Sequence, residues 1–255
     1  MQAVYEDHMG TDIRVVNSAR VSFSSKSWFI DGEYIPKKDS KHYQQWLQYR
    51  DWALESNALW DDKNGHKIIS VQDFGLIQFL ASHGHWTPFA HPQITLVMQA
   101  PVPIRTQCFK HKSGFVENEE SRRYIKSTPK LFIPDEFRSA PDNAKQGSGG
   151  VHPDSDWIRD QYIQKAKESI REYERWIFMG AAPEQARFIL PQGVEVEWYW
   201  TGSLAAFARF YKQRMDSHAQ LEIRRLSFEV GKIIQPLYPV SWAALTQGVN
   251  NATSD

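Results

Sequence analysis

Two short runs of strict alternation constrain the fold more than any other feature of this chain. Residues 93–99 (QITLVMQ) put Ile94, Leu96 and Met98 on one face, and residues 194–200 (VEVEWYW) alternate in the same way, the pattern of a half-buried strand. Helical stripes surround them. Across residues 156–179, Ile163, Ala166, Ile170, Tyr173 and Ile177 follow in steps of three and four, which places them on one side of a helix. Ser155 or Asp156 can cap its start and Gly180 can end it. Residues 41–56 and 73–83 predict further helices. A last helix begins near Ser217, carries Ala219, Ile223, Leu226, Val230 and Ile233, and stops at Pro236. Ser217 with Gln220 fits a capping box. Strands and helices are interspersed without regular alternation, so the expected class is α+β.

The remaining stretches are polar. Residues 24–40 are rich in turn formers, 61–66 (DDKNGH) read as a turn, and 140–155 (APDNAKQGSGGVHPDS) read as a surface loop. With 255 residues and 41% hydrophobic content the chain can bury a large core and is not a disordered protein. The 30 basic and 30 acidic residues cancel, so anion binding must come from local clusters and a nucleic-acid partner is not expected. No apolar run approaches the roughly 18 residues that cross a bilayer. No membrane partner is expected, and with no secretory signal the chain reads as cytoplasmic.

The single cysteine, Cys108, excludes an intrachain disulfide and a cysteine-based zinc cage. His83, His85 and His91 lie close together in HGHWTPFAH. They lack the carboxylate or thiolate companions of a metal site, and packing is the expectation, with no metal.

Chemistry concentrates in residues 107–124, QCFKHKSGFVENEESRRY. Lys110, His111 and Lys112 are consecutive potential cations, Gly114 breaks the chain, and the cassette NEESRRY follows. That set suits a ligand with phosphate at one end and a hydrogen-bonding base at the other, against the alternative of a solvated, charge-balanced turn. A second cluster, RFYKQRMDSHAQLEIR at 209–224, sets Arg209, Lys212 and Arg214 before a helix start, suited to an anion or to an ordinary charged surface. Arg187, inside QARFILP, serves either a ligand or a structural ion pair.

These residues resemble the flavin-dependent thymidylate synthases. That family's signature is R-H-R, a short spacer, then N-E-x-S-x-R-Y. Here it is Lys110-His111-Lys112, the spacer, and Asn118 to Tyr124. Lysine replaces both arginines, the spacer is one residue longer, and a late spacer serine is missing. ARVSF (19–23), HGHWTPFAH, Ala100-Pro101, IPDEFR (133–138), ARFILP, YWTG (199–202), RMDSHAQLEIR and PLYPVSWAAL follow in the family's order.

The resemblance implies one domain over residues 1–255, with insertions at about 24–70 and 140–155, and a mixed sheet flanked by helices. It implies FAD-dependent reductive methylation of dUMP to dTMP with methylenetetrahydrofolate and NADPH, in a homotetramer with shared active sites. It places Gln107, Lys110, Glu119, Ser121, Arg123, Arg187 and Arg214 on dUMP. Arg214 would meet the charge that develops as the pyrimidine N3 ionises, and Ser121 would stand beside the ring without acting as a nucleophile; these two are the expected catalytic residues. Thr87, Lys110, His111, Lys112, Glu119, Ser203, Ala205 and Arg209 are placed on FAD. Ser203 and Ala205 replace an asparagine and an arginine at the adenine side, and Ala90 replaces an acidic residue. Arg209 stands where asparagine is frequent and can restore the lost charge. Cys108 is assigned to packing. The alternatives are a flavin-dependent dUMP hydroxymethylase and, in a different class, an inactive nucleotide- or RNA-binding relative.

Overall fold

A computed structural model describes residues 1–31, 38, 41–56, 60–61, 65–141 and 147–249. Strand β1 (Gln2–Met9) leads to helix α1 (Asp12–Arg20). There follow β2 (Ile30–Asp31), α2 (Tyr43–Ser56), β3 (Trp60–Asp61), β4 (Gly65–Ile68) and α3 (Val71–Ser82). A 3-10 turn at Thr87–Ala90 precedes β5 (Gln93–Pro101), α4 (Val102–Phe109) and β6 (Phe115–Glu119). The second half holds α5 (Ser155–Phe178), α6 (Pro183–Ala186), a 3-10 turn at Arg187–Ile189, β7 (Glu195–Ser203), α7 (Leu204–Arg214), α8 (Leu221–Ile234) and α9 (Pro239–Leu245). Of the turn expected at 61–66, residues 62–64 lie outside the described residues, as do 32–37, 39–40 and 142–146 of the two polar stretches.

The class is α+β. The main sheet runs β1-β5-β7-β6, and a small one runs β2-β4-β3. Every described ladder is antiparallel, where the resemblance implied a mixed sheet. The reason is topological. β5 and β6 point the same way, but β7 lies between them, antiparallel to both, so no parallel ladder forms.

Alternation decides which face of the sheet is buried. Ile94, Leu96, Met98 and Ala100 of β5 and Trp198 and Trp200 of β7 point into the core at 0–1% exposure. Trp200 stacks on Phe115 at 4.2 Å and meets Phe207 and Phe210 of α7 edge-on. Gly202 permits this, because any Cβ there would lie 2.4 Å from the Phe115 ring. Each such indole removes ~150–250 Å² from water, about 4–6 kcal/mol at ~25 cal/mol/Å². Val4, Val116 and Tyr199, on the opposite face, remain exposed.

The long helices bury the expected stripes: Ala166, Ile170 and Tyr173 on α5, and Ile223, Leu226 and Val230 on α8. Two expected caps differ. The N-cap of α5 is Asp154, because the Ser155 hydroxyl accepts the Phe137 N–H at 2.8 Å. Ser217 does not cap α8. The Asp216 carboxylate takes the His218 backbone N–H at 2.8 Å in a tight turn, and the helix begins only after Gln220. Gly180 closes α5 at φ +88° as expected.

The first and last helices are tied by one buried carboxylate. Asp12 accepts the backbone N–H groups of Val240 at 3.0 Å and Ser241 at 2.9 Å, at the start of α9. Burial raises its pKa, against the pull of these hydrogen bonds. Asp12→Ala strands two buried donors, each costing about 1–3 kcal/mol. The expected loss is roughly 2–5 kcal/mol in urea denaturation, with Asp12→Asn falling between.

Candidate active site

Helix α4 divides the site. Pro101 sits at its N-cap with φ −65°, and the helix continues directly from β5. Arg105 and Gln107 are two residues apart on it, so they point about 200° apart around its axis. Arg105 turns toward β6, where its Nε lies 2.7 Å from Glu119 Oε2. Gln107 turns toward α7 and α8, where its side-chain amide donates to Gln220 Oε1 at 2.7 Å.

On the Arg105 side lies a cleft of about 450 Å³ lined by Arg105, Glu119, Ser121, Arg187 and Phe188, among others. Burial raises the Glu119 pKa, as does the neighbouring Glu120, while Arg105 and Arg187 oppose the shift. Ser121 starts a tight turn, accepting the Arg123 N–H on its hydroxyl and the Tyr124 N–H on its carbonyl. Arg187 is exposed and donates to the Glu184 carbonyl at 3.2 Å. It makes no structural ion pair among the described residues. Arg123 meets the Glu184 carboxylate at 3.3 Å, with both side chains about half exposed, a pair too solvated to hold firmly.

On the Gln107 side the centre is Arg214, the last residue of α7. Its Nε donates to His111 Nε2 at 2.9 Å and its Nη2 to the Gln107 carbonyl at 3.1 Å. Nη1 lies 3.5 Å from Gln107 Oε1. Burial draws the guanidinium pKa down from its usual value. It pairs with neither Asp216, which holds His218, nor Glu222, which holds Arg138.

Of the three potential cations at 110–112, His111 differs from its neighbours. It is buried, and burial together with the nearby Arg214 and Arg209 charges lowers its pKa to about 4. Accepting from Arg214 on Nε2 puts the ring proton on Nδ1. Lys110 and Lys112, on either side, are exposed. Lys112 pairs with Glu117.

The loop after α4 is pressed onto the start of α7. Gly114 adopts φ +80°, and a Cβ there would meet Ala206 Cβ at 3.0 Å and Ser203 Oγ at 3.2 Å, so only glycine fits. Arg209 donates to the Ser113 carbonyl. The Ser203 hydroxyl caps α7 by accepting the Ala206 N–H at 3.2 Å. Ala205 follows on that helix, and the turn bearing Thr87 packs against α1 and α7. His111, Ser203, Ala205, Arg209 and Thr87 are thus gathered around α7, with Lys110 and Lys112 flanking His111 in the chain, while Glu119 faces the cleft across α4.

Sequence reasoning did not mark Arg105, Gln220, Glu222 or Arg138 for a ligand, although their side chains adjoin this region. Arg105 lies two residues before Gln107, but no helix was expected there, so nothing in the sequence marked it. The other three acquire their roles only through contacts between distant segments.

Cys108 is fully buried, and burial pushes its thiol up to about 12. A thiolate nucleophile is therefore absent at neutral pH. The folded protein should resist iodoacetamide at pH 8, and Cys108→Ala should keep turnover. Rapid labelling of the native state, read by mass, would contradict this.

A family model described as thymidylate synthase complementing protein matches residues 6–240. The flavin-dependent thymidylate synthase of Kosmotoga olearia is 33% identical over 177 residues, covering 68% of this chain and 76% of that protein. The enzyme of the same name from Wolbachia pipientis wMel is 30% identical over 245 residues, covering 94% and 72%. The crystal structure of the UMP/dUMP methylase PolB from Streptomyces cacaoi, bound with 5-Br dUMP, shares the fold: TM-score 0.71, 23% identity, 96% of this chain and 94% of that one. The chain belongs to the flavin-dependent thymidylate synthase family, methyltransferases that work with FAD.

Proposed function

We propose that the chain methylates dUMP to dTMP, taking the carbon from methylenetetrahydrofolate and the reducing equivalents from NADPH. The observation that supports this most is the Arg214 guanidinium. It is half-buried, and its partners among the described residues, His111 and Gln107, are neutral. A fixed cation without a carboxylate partner complements an anion. Negative charge builds on the uracil N3–O4 edge as C5 becomes nucleophilic, and such charge is stabilised most where water is scarce.

The other residues take complementary parts. Arg123 and Arg187, solvated and loosely held, suit the nucleotide phosphate. Gln107, Glu119 and Ser121 supply hydrogen bonds, and Lys110 adds positive charge. Cations on Lys110, Lys112 and Arg209 suit the FAD pyrophosphate, and the His111 Nδ1–H is a donor to the flavin. The missing Cβ at Gly114 lets that loop lie close to Ser203 and α7, which fits a cofactor held along it with Thr87, Ser203 and Ala205 at its edge. When bound, FAD supplies the hydride chemistry.

The Glu119, Ser121, Arg187 set and the Gln107, Arg214 set lie on opposite sides of α4. One nucleotide reaches both when they come from different copies of the chain. The outer sheet face, with Val4, Val116 and Tyr199 exposed, offers a surface for such packing. We therefore infer a homotetramer with shared sites. Sedimentation should show four copies; a fully active monomer would overturn this.

Product analysis tests the reaction. Incubation with dUMP, methylenetetrahydrofolate, FAD and NADPH should yield the methylated base by mass. A hydroxymethyl product would mark a hydroxymethylase, and a colourless protein without turnover a binding relative. Arg214→Ala should lower kcat/KM for dUMP by about 10²–10³ with FAD retained. Arg214→Lys should recover only part, because lysine lacks the planar fork.

A further inference from the structure

A directed chain of hydrogen bonds runs from Arg138 to Arg214. Arg138 Nη2 donates to both oxygens of Glu222, at 2.7 and 2.9 Å. Gln220 and Glu222 line the same cavity, and the Gln220 side chain helps hold the Glu222 carboxyl below its ordinary pKa. Gln107 Nε2 then donates to Gln220 Oε1 at 2.7 Å, leaving Gln107 Oε1 facing Arg214 Nη1 at 3.5 Å.

Each link settles the next. A carboxylate only accepts, so Gln220 must turn its NH₂ toward Glu222 and its oxygen toward Gln107. Gln107 must then turn its NH₂ to Gln220 and its oxygen to Arg214. A flipped amide at either glutamine would set donor against donor. The anchoring end is firm. Arg138 Nε also donates to Ser148 Oγ at 2.6 Å, and its segment is pinned by the Arg138–Val151 bridge. Burial alone would raise the Glu222 pKa, but hydrogen bonds from Arg138, its own backbone N–H and Gln220 hold it below the ordinary value.

We propose that Glu222, held by Arg138, is a positioning residue that sets the orientation of the Gln220 and Gln107 amides and so aims the Arg214 guanidinium at the nucleotide. The inference rests on the functional reading of Arg214 above. It assigns a role in the reaction to two residues, Arg138 and Glu222, that stand outside the dUMP and FAD sets.

Three variants separate orientation from simple structural pairing. Gln220 is exposed, so Gln220→Met should leave the melting temperature, the flavin content and the KM for methylenetetrahydrofolate unchanged. It should lower kcat/KM for dUMP by about three- to tenfold, the size of one lost hydrogen bond. The double variant Arg138→Glu/Glu222→Arg keeps the ion pair but reverses the donor direction along the chain. It should fold and lose dUMP efficiency. The double variant Gln220→Glu/Glu222→Gln loses the ion pair but keeps an acceptor for Gln107, and should keep dUMP efficiency. A purely structural pair gives the opposite ranking of the two doubles, and that result overturns the proposal. If the exchange double does not fold, Gln220→Met and the other double decide. dTMP formation by the unmodified enzyme and by Arg214→Ala is measured alongside. If the unmodified enzyme forms no dTMP, or Arg214→Ala is unimpaired, the functional reading fails and the relay fails with it. If both behave as expected and Gln220→Met is unimpaired, the relay alone fails.

Discussion

The long ladder between β5 and β7 is the constraint on which the site depends. It runs without interruption from Gln93 opposite Ser203 to Pro101 opposite Glu195. Each strand passes directly into a helix, β5 into α4 and β7 into α7. Because the strands are antiparallel, the two helices leave from opposite ends of the ladder. α7 has 11 residues, about 16 Å of helix, and it runs back beneath the sheet until its last residue, Arg214, meets Gln107 on α4. The buried ring of Trp200, against Phe207 and Phe210, fixes the depth at which α7 lies, and that of Trp198 meets Phe109 of α4. A slip of one residue in this ladder would turn every inward side chain to the solvent and move both helix starts.

Charge around α4 follows from burial more than from composition. The chain is neutral overall, yet each face of α4 concentrates guanidinium groups. The contrast at residues 110–112 shows how finely this is set. Lys110 and Lys112 are exposed, whereas His111 between them turns inward, where burial and the nearby Arg214 and Arg209 charges lower its pKa to about 4. One short segment thus presents cations to the outside and a neutral acceptor to Arg214. A third cation there would oppose the Arg214 guanidinium where it now has a partner.

Much of this was legible in the amino-acid sequence, and the rest depends on tertiary context. Alternation at 93–99 and 194–200 locates the two central strands because one face of each is buried. The stripes of α5 and α8 are equally plain. The residues around Arg214 and the cleft were located by resemblance to a known family, and their separation by α4 was not visible, since helical phase shows that Arg105 and Gln107 diverge without showing what each meets. Sequence alone counts His111 only among three potential cations, because the burial that lowers its pKa comes from α7, a hundred residues away. Ser217 was misread as a cap because Asp216 competes for the same turn. The antiparallel sheet was hidden because β7, late in sequence, enters between two earlier strands.

That late entry bears on how the chain is made. A chain synthesised from its N-terminus has β1, β5 and β6 available long before β7, and until then the edges of β5 and β6 that β7 will cover stay open. Asp12 likewise waits for Val240 and Ser241, its partners across almost the whole sequence. Such distant pairings slow folding and leave strand edges exposed during the delay. The ribosome therefore releases most of this protein before β7 can seat, so a nascent chain stalled before residue 195 carries an unfinished sheet with open strand edges.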